Sequence, residues 1–251
     1  MCDLECIIQC ELAFPAQFSN LVQRPFGMLF YEPLISDSWD CNHAVITDAD
    51  CSPEFVVSDI ADFYEAKGLQ PRIYSAWIPG QLARLLPALD QAGFKVIVED
   101  THFLSRTAGS TIIPNPAVTV KKVREVDEPL AAMILRTEGT ERPVKVLAKK
   151  LRVPLFDLFA AYVGGAPVAV ASLCTEGGAT RVDDVRTDIL ERRKGYCSTL
   201  IDYVCRWHAE RQSDPLYLWT TNPEAARIYS RAGFTETPLD QTHWMAWKIP
   251  S

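Results

Sequence analysis

Apolar residues recur at helical spacing in some stretches of the chain and at alternate positions in others, and the two periods divide it into elements. Val56, Ile60, Phe63 and Tyr64 share one helical face and predict a helix over 55–67, ended by Lys67-Gly68. Residues 72–78 predict a strand, with a break at Gly80. A second helix is expected over 82–91, with Leu82, Leu85, Leu86 and Leu89 facing inward and Gly93 as its stop. Residues 94–98 and 101–106 have the pattern of two strands in a hairpin. Residues 118–123 alternate as a strand, and a helix starts at Asp127 or Glu128 and runs to 135. Residues 156–163 and 167–174 flank Gly164-Gly165 as strand, turn and strand, and Gly177-Gly178 leads into a strand ending at 187. Cys197, Leu200, Ile201, Val204, Cys205 and His208 then mark a helix. Residues 216–220 are strand-like. Asn222 as cap, Pro223 at the first position and Gly233 at a left-handed exit frame a short helix with Ala225, Ile228, Tyr229 and Ala232 on one face. The first 50 residues show no such period, and the aromatic, proline-containing stretch over 14–39 predicts irregular packing.

The order of elements recurs. Gln91-Ala92-Gly93-Phe94 parallels Arg231-Ala232-Gly233-Phe234, and Asp100-Thr101-His102-Phe103-Leu104 parallels Gln241-Thr242-His243-Trp244-Met245, about 140 residues apart. Ile73-Tyr74 parallels Leu216-Tyr217 in the same way. This predicts two copies of one unit. The expected division is 1–106, a linker over 107–117 containing Pro-Asn-Pro, and 118–251.

Chemistry concentrates where the strand ending at 187 meets the next helix. A helix N-terminus presents unpaired N–H groups and partial positive charge. Gly195 lets that backbone come close to a ligand, and Arg192, Arg193 and Lys194 add charge. These are the makings of a phosphate cradle. The first copy lacks them: Asp48, Asp50 and Glu54 precede its helix and would repel a pyrophosphate.

Here the chain resembles the GNAT superfamily of acyl-CoA N-acyltransferases. Arg192-x-x-Gly195-x-Cys197 is similar to that family's Arg/Gln-x-x-Gly-x-Gly/Ala turn, with Cys197 where Gly or Ala is usual. Downstream, Asn222-x-x-Ala225-x-x-x-Tyr229-x-Arg231-x-Gly233-Phe234 resembles its second signature. The resemblance covers residues 117 to 249. It implies an α/β (α+β) fold, with a mixed, mostly antiparallel sheet flanked by helices, in two GNAT-like units of which the first is degenerate. It also implies acetyl-CoA as cosubstrate. The backbone of Val185, Arg186 and Thr187 would bond the pantetheine arm. Arg192, Arg193, Lys194, Gly195, Tyr196, Cys197 and Ser198 would hold the pyrophosphate, with Asn222, Ala225 and Tyr229 along the cofactor. Tyr229 stands where the family's tyrosine protonates the departing thiolate. Asp183 shares strand parity with Val185 and Thr187 and is the candidate base, whereas Asp184 faces the opposite way unless a bulge intervenes. The basic segment over 138–153, with Lys149 and Lys150, is either a cover for the acceptor or a solvated loop and helix.

The implied reaction is acetyl transfer to an amine of a small molecule or peptide. Two rivals are a non-catalytic acyl-CoA sensor and an aminoacyl-tRNA-dependent transferase. A net charge of −7 speaks against broad nucleic-acid binding, and no apolar run reaches membrane-spanning length. Eight cysteines without a close pair, and no leader-like start, fit a reduced cytoplasmic protein without a metal site. Cys2, Cys6 and Cys10 recur every four residues, as on one helix face, and His208 and His243 are expected to be surface or packing residues.

Overall fold

A computed structural model describes residues 3–48, 50–237 and 243–249. Two units emerge: Met1–Phe14 with His102–Pro238, and Pro15–Thr101 with Leu239–Ser251. Helix α1 (Asp3–Ala13), carrying Cys6 and Cys10, belongs to the first, larger unit, while Cys2 lies outside the described residues.

The smaller unit holds β1 (Asn20–Arg24), β2 (Gly27–Tyr31), β3 (His43–Ile46), β4 (Arg72–Tyr74), β5 (Phe94–Glu99) and β13 (His243–Lys248), ordered β1-β2-β3-β4-β13-β5. Helices α2 (Pro53–Glu65) and α3 (Gln81–Gln91) bury Val56, Ile60, Tyr64, Leu85 and Leu89 against Ala44, Ile46, Ile73 and Trp244. Leu86 departs from the expected inward set and is exposed, because the buried stripe runs through Leu85, Ala88 and Leu89. The expected strand over 72–78 ends at Tyr74, and Trp77 takes a left-handed φ of 59°. Between β2 and β3, Asn42 ties an irregular stretch together. Its Oδ1 accepts from Glu32 N at 2.7 Å, and its Nδ2 donates to the carbonyls of Ile35 and Ser38.

The larger unit holds β6 (His102–Arg106), β7 (Thr119–Val123), β8 (Phe156–Val163), β9 (Ala166–Glu176), β10 (Ala179–Thr187), β11 (Leu216–Thr220) and β12 (Phe234–Glu236), ordered β12-β6-β11-β10-β9-β8-β7. Its remaining helices are α4 (Glu128–Glu138), α5 (Arg142–Lys150), α6 (Tyr196–Ala209) and α7 (Pro223–Arg231). Leu200, Ile201, Val204 and Cys205 of α6 pack on Phe159, Ala169, Ala171 and Val182. Helices α1 and α4 both pack on β9 and β10. No helix among the described residues is long and apolar enough to cross a membrane.

The expected hairpin of 94–98 and 101–106 does not form. β5 pairs with β13, whereas β6 pairs with β11 and β12. Each half of the chain thus gives its last strand to the other half's sheet. The contiguous division at 106 and 118 therefore differs from the sheets, which take β6 and α1 into the larger unit and β13 into the smaller. Alternation of apolar side chains specifies a strand and its buried face but not its partner. With the exchange counted, the two sheets share one connectivity. β1-β2-β3-α2-β4-α3-β5 matches β8-β9-β10-α6-β11-α7-β12, and β3/β4 and β10/β11 are the parallel pairs.

Gly93 and Gly233 occupy matching places after α3 and α7, at φ of 78° and 94°. A Cβ on Gly233 would lie 2.1 Å from Ala108 O, whereas one on Gly93 would meet nothing within 4 Å. Gly233→Ala is therefore expected to cost at least about 3 kcal/mol in urea unfolding, and Gly93→Ala about 1 kcal/mol of backbone strain. Equal effects would show that the contact with Ala108 relaxes freely.

Candidate functional site

Between Thr187 and α6 the chain turns through residues 188–195. Asp188 N donates to Val168 O at 2.9 Å. Its buried carboxylate is gripped by Arg136 of α4, Nε to Oδ1 at 3.2 Å and a second N–H to Oδ2. That hydrogen bonding pulls the Asp188 pKa down. Arg193 and Gly195 follow with left-handed φ of 65° and 77°. From the linker, Asn115 Nδ2 donates to Lys194 O at 3.1 Å, and Asn115 N donates to Thr199 Oγ1 at 2.9 Å.

Helix α6 begins without a side-chain cap. None of the backbone N–H groups from 192 to 198 donates to another described residue. A Cβ on Gly195 would meet nothing within 4 Å, so the cradle is open. Arg192 and Arg193 are exposed and without ion pairs among the described residues, whereas Lys194 Nζ is engaged by Glu191 at 2.8 Å. Unpaired donors, a left-handed glycine and two free guanidinium groups fit a pyrophosphate. The matching start of α2 is closed: Ser52 Oγ accepts from Phe55 N, and Arg84 donates to the carbonyls of Cys51 and Asp48.

Strands β10 and β11 are paired at Thr180↔Leu216 and Arg181↔Tyr217, and no further. Beyond that point they separate, which leaves residues 182–187 of β10 open on the β11 side. A bulge between Asp183 and Arg186 accompanies the opening, with Asp184 at a φ of 54°. The Cys197 thiol is pushed up in pKa by burial, partly offset by its hydrogen bond with Thr187. Tyr229 is buried, packed at 6.1 Å edge-to-face on Phe234. Its hydroxyl has no hydrogen-bond partner among the described residues and is not sealed from solvent. Burial, then the influence of Cys197 and Asp183, holds the Tyr229 pKa well above the usual phenol value. Thr187, Cys197, Tyr229 and Asp183 thus gather at the open half of β10.

The bulge also assembles a charge network that the sequence did not suggest. Lys150 of α5, fully buried, places Nζ 2.9 Å from Asp183 Oδ2 and 3.1 Å from Asp184 Oδ2. Asp184 accepts from Ser172 and Arg186, whose Nε reaches Glu138 at 3.1 Å. Arg181 donates to both oxygens of Glu11 on α1, and Tyr217 and Trp219 donate to the same carboxylate. Asp184 does not face away from Asp183, because its left-handed backbone turns both carboxylates onto Lys150. Burial opposes the charge on Asp183, but Arg181 and Lys150 outweigh it and hold its pKa well below the carboxylate range. A carboxylate so held is a poor proton acceptor. Lys150 is no solvated loop cation.

Lys150→Met is expected to destabilise the fold by about 3 kcal/mol, since it removes the buried cation that Asp183 and Asp184 share and leaves them only Arg181 and Arg186. The depressed pKa means that Asp183 contributes stability above its unfolded value near pH 4 and loses it as pH falls below that. Urea unfolding between about pH 3 and 7 should therefore show a weaker acid dependence in the variant. An unchanged dependence would place the acid-sensitive interaction elsewhere.

The model of the Acetyltransferase (GNAT) family matches residues 129–234, from the first turn of α4 to the start of β12. Residues 129–234 are thus similar to a GNAT domain. No curated protein matches the chain. Among solved structures, a GCN5-related N-acetyltransferase from Kribbella flavida is 20% identical, with a TM-score of 0.68, covering 98% of this chain and 95% of that one. A conserved protein of unknown function from Staphylococcus epidermidis is 13% identical, with a TM-score of 0.63, and covers 92% and 94%. A GCN5-related N-acetyltransferase from Sphaerobacter thermophilus is 14% identical, with a TM-score of 0.58, and covers 97% and 90%. The GNAT fold thus extends over nearly the whole chain.

Within residues 129–234, four expected cofactor residues have structural duties. Asn222 Oδ1 caps α7, accepting from Glu224 N at 2.9 Å and Ala225 N at 3.4 Å. Ala225, Tyr196 and Val185 lie partly buried against the core. A cleft of about 500 Å³ runs beside the GNAT turn, lined by Pro129, Arg136, Pro167, Val168, Asp188 and Glu191 among others. Among the described residues no cluster of His, Cys, Asp and Glu is set to hold a metal.

Proposed function

We propose that the GNAT-like domain transfers an acetyl group from acetyl-CoA to the amine of a small molecule or peptide. The observation that carries this is the row of unpaired N–H groups at residues 192–198, beside strands that have parted. Acetyl-CoA would supply the thioester. Arg192, Arg193 and the backbone around Gly195 would hold its pyrophosphate, and the exposed edge of Val185, Arg186 and Thr187 would align the pantetheine arm. Tyr229, protonated and without a hydrogen-bond partner among the described residues, would give its proton to the departing thiolate. Asp183 anchors the bulge through Lys150 and Arg181, so the proton of the amine leaves through water. The shared connectivity of the two sheets supports a tandem origin, and the capped, acidic start of α2 supports a smaller unit that binds no coenzyme A.

The test is coenzyme A release, followed with a thiol reagent, across polyamines, amino acids, aminoglycosides and peptides. Release that depends on one amine class is expected. Tight acetyl-CoA binding with no release across all classes would favour a sensor, and retention on tRNA would favour the aminoacyl-tRNA-dependent reading.

A further inference from the structure

Strand β5 forms an outer edge of the smaller unit's sheet and is paired on one side, with β13. Its sequence is Phe94-Lys95-Val96-Ile97-Val98-Glu99. An edge strand leaves backbone N–H and C=O groups open, and proteins usually blunt such edges with like charges or short length. The other edges offer a second copy no opposed charges. β7 has Lys121 and Lys122 side by side, so an antiparallel copy centred on Lys121 would oppose that lysine to itself. β12 is three residues long, and β1 offers Arg24 only Asn20 in a pairing centred on Val22.

β5 differs on two counts. Ile97 and Val98 are 41% and 51% exposed. The strand is also self-complementary about Ile97. An antiparallel copy centred there sets Lys95 opposite Glu99, Val96 opposite Val98 and Ile97 opposite itself. These opposed pairs are favourable, with Phe94 falling opposite Asp100 beyond the strand's end, and twofold symmetry repeats the ion pair. Both charges are available. Lys95 is exposed and makes no ion pair among the described residues. Glu99 Oε2 lies 3.3 Å from His243 Nδ1, and Oε1 takes no described partner.

We propose that β5 is a homodimerisation edge. A second copy of this chain adds its own β5 antiparallel, about a twofold axis through Ile97, and the two sheets become one. Pairing of six-residue strands buries less than the roughly 1,200 Å² that stable complexes bury, so the dimer is weak and depends on concentration.

Sedimentation velocity on the whole chain, from about 5 to 500 μM, tests this. The wild type should dimerise within that range. Lys95→Glu sets two pairs of carboxylates face to face and should raise the dimer Kd at least about tenfold. Ile97→Asp should leave monomer throughout. The double variant Lys95→Glu/Glu99→Lys restores opposite charges and should return the Kd to within about threefold of wild type. Thermal melts check that each variant folds, and Lys95, being exposed, is the safe site. A wild type that stays monomeric leaves the edge bare or kept for another occupant and overturns the proposal. So does a dimer indifferent to Lys95→Glu and Ile97→Asp, or a folded double variant no tighter than the single.

Discussion

Gly195→Glu is expected to weaken acetyl-CoA binding at least about 100-fold, some 2.7 kcal/mol, with the fold intact. Three effects combine. The left-handed φ of 77° strains any L side chain by about 1 kcal/mol. The added carboxylate competes for the N–H groups of 192–198, which have no described partner of their own. Its charge also repels a pyrophosphate at the position that must be bare. Because a Cβ there meets nothing within 4 Å, the protein should tolerate the change and melt only slightly earlier. Gly195→Ala separates strain from charge and should weaken binding far less. Calorimetry with both variants checks this, and unchanged affinity in a folded Gly195→Glu protein would move the phosphate site elsewhere.

Tyr229→Phe should lower kcat by roughly 10- to 1000-fold and leave acetyl-CoA affinity unchanged. The hydroxyl has no described partner, so its removal breaks no hydrogen bond, and the ring keeps its packing on Phe234. Stability should stay within about 0.5 kcal/mol. Because burial, Cys197 and Asp183 all raise the Tyr229 pKa, the phenol stays protonated across the neutral range. The wild-type kcat should therefore show no fall from loss of this proton below about pH 10. A wild-type rate in Tyr229→Phe would leave Tyr229 as a core residue.

The helices were legible because each carried its own punctuation. Asp127 and Asn222 cap where expected, Gly80, Gly93 and Gly233 sit at breaks, and the α6 stripe of Leu200, Ile201, Val204 and Cys205 is buried. The phosphate turn was legible for the same reason, since Gly195 and its basic flank are local chemistry. Strand partners were not. β6 and β13 look alike in sequence at His102 and His243, and nothing local says that each crosses to the other half's sheet. The network at the bulge was hidden because it joins Glu11, Lys150, Asp183 and Asp184 across long separations. A left-handed Asp184 is a tertiary outcome that residue parity cannot foresee. The Asp-Asp pair between Arg181 and Arg186 was the one visible sign of it. The N-terminal region stayed unread although it holds α1 and the antiparallel β1–β2 hairpin, contrary to the irregular packing expected over 14–39. β2 and β3 are buried at most positions and so lack alternation, and the stretch between them is tied by single residues such as Asn42.

Titration of the whole chain with acetyl-CoA by calorimetry tests the central claim most directly. One open cradle at residues 192–198 and one closed helix start at Ser52 predict a single equivalent per chain. Two equivalents, or none, would contradict it.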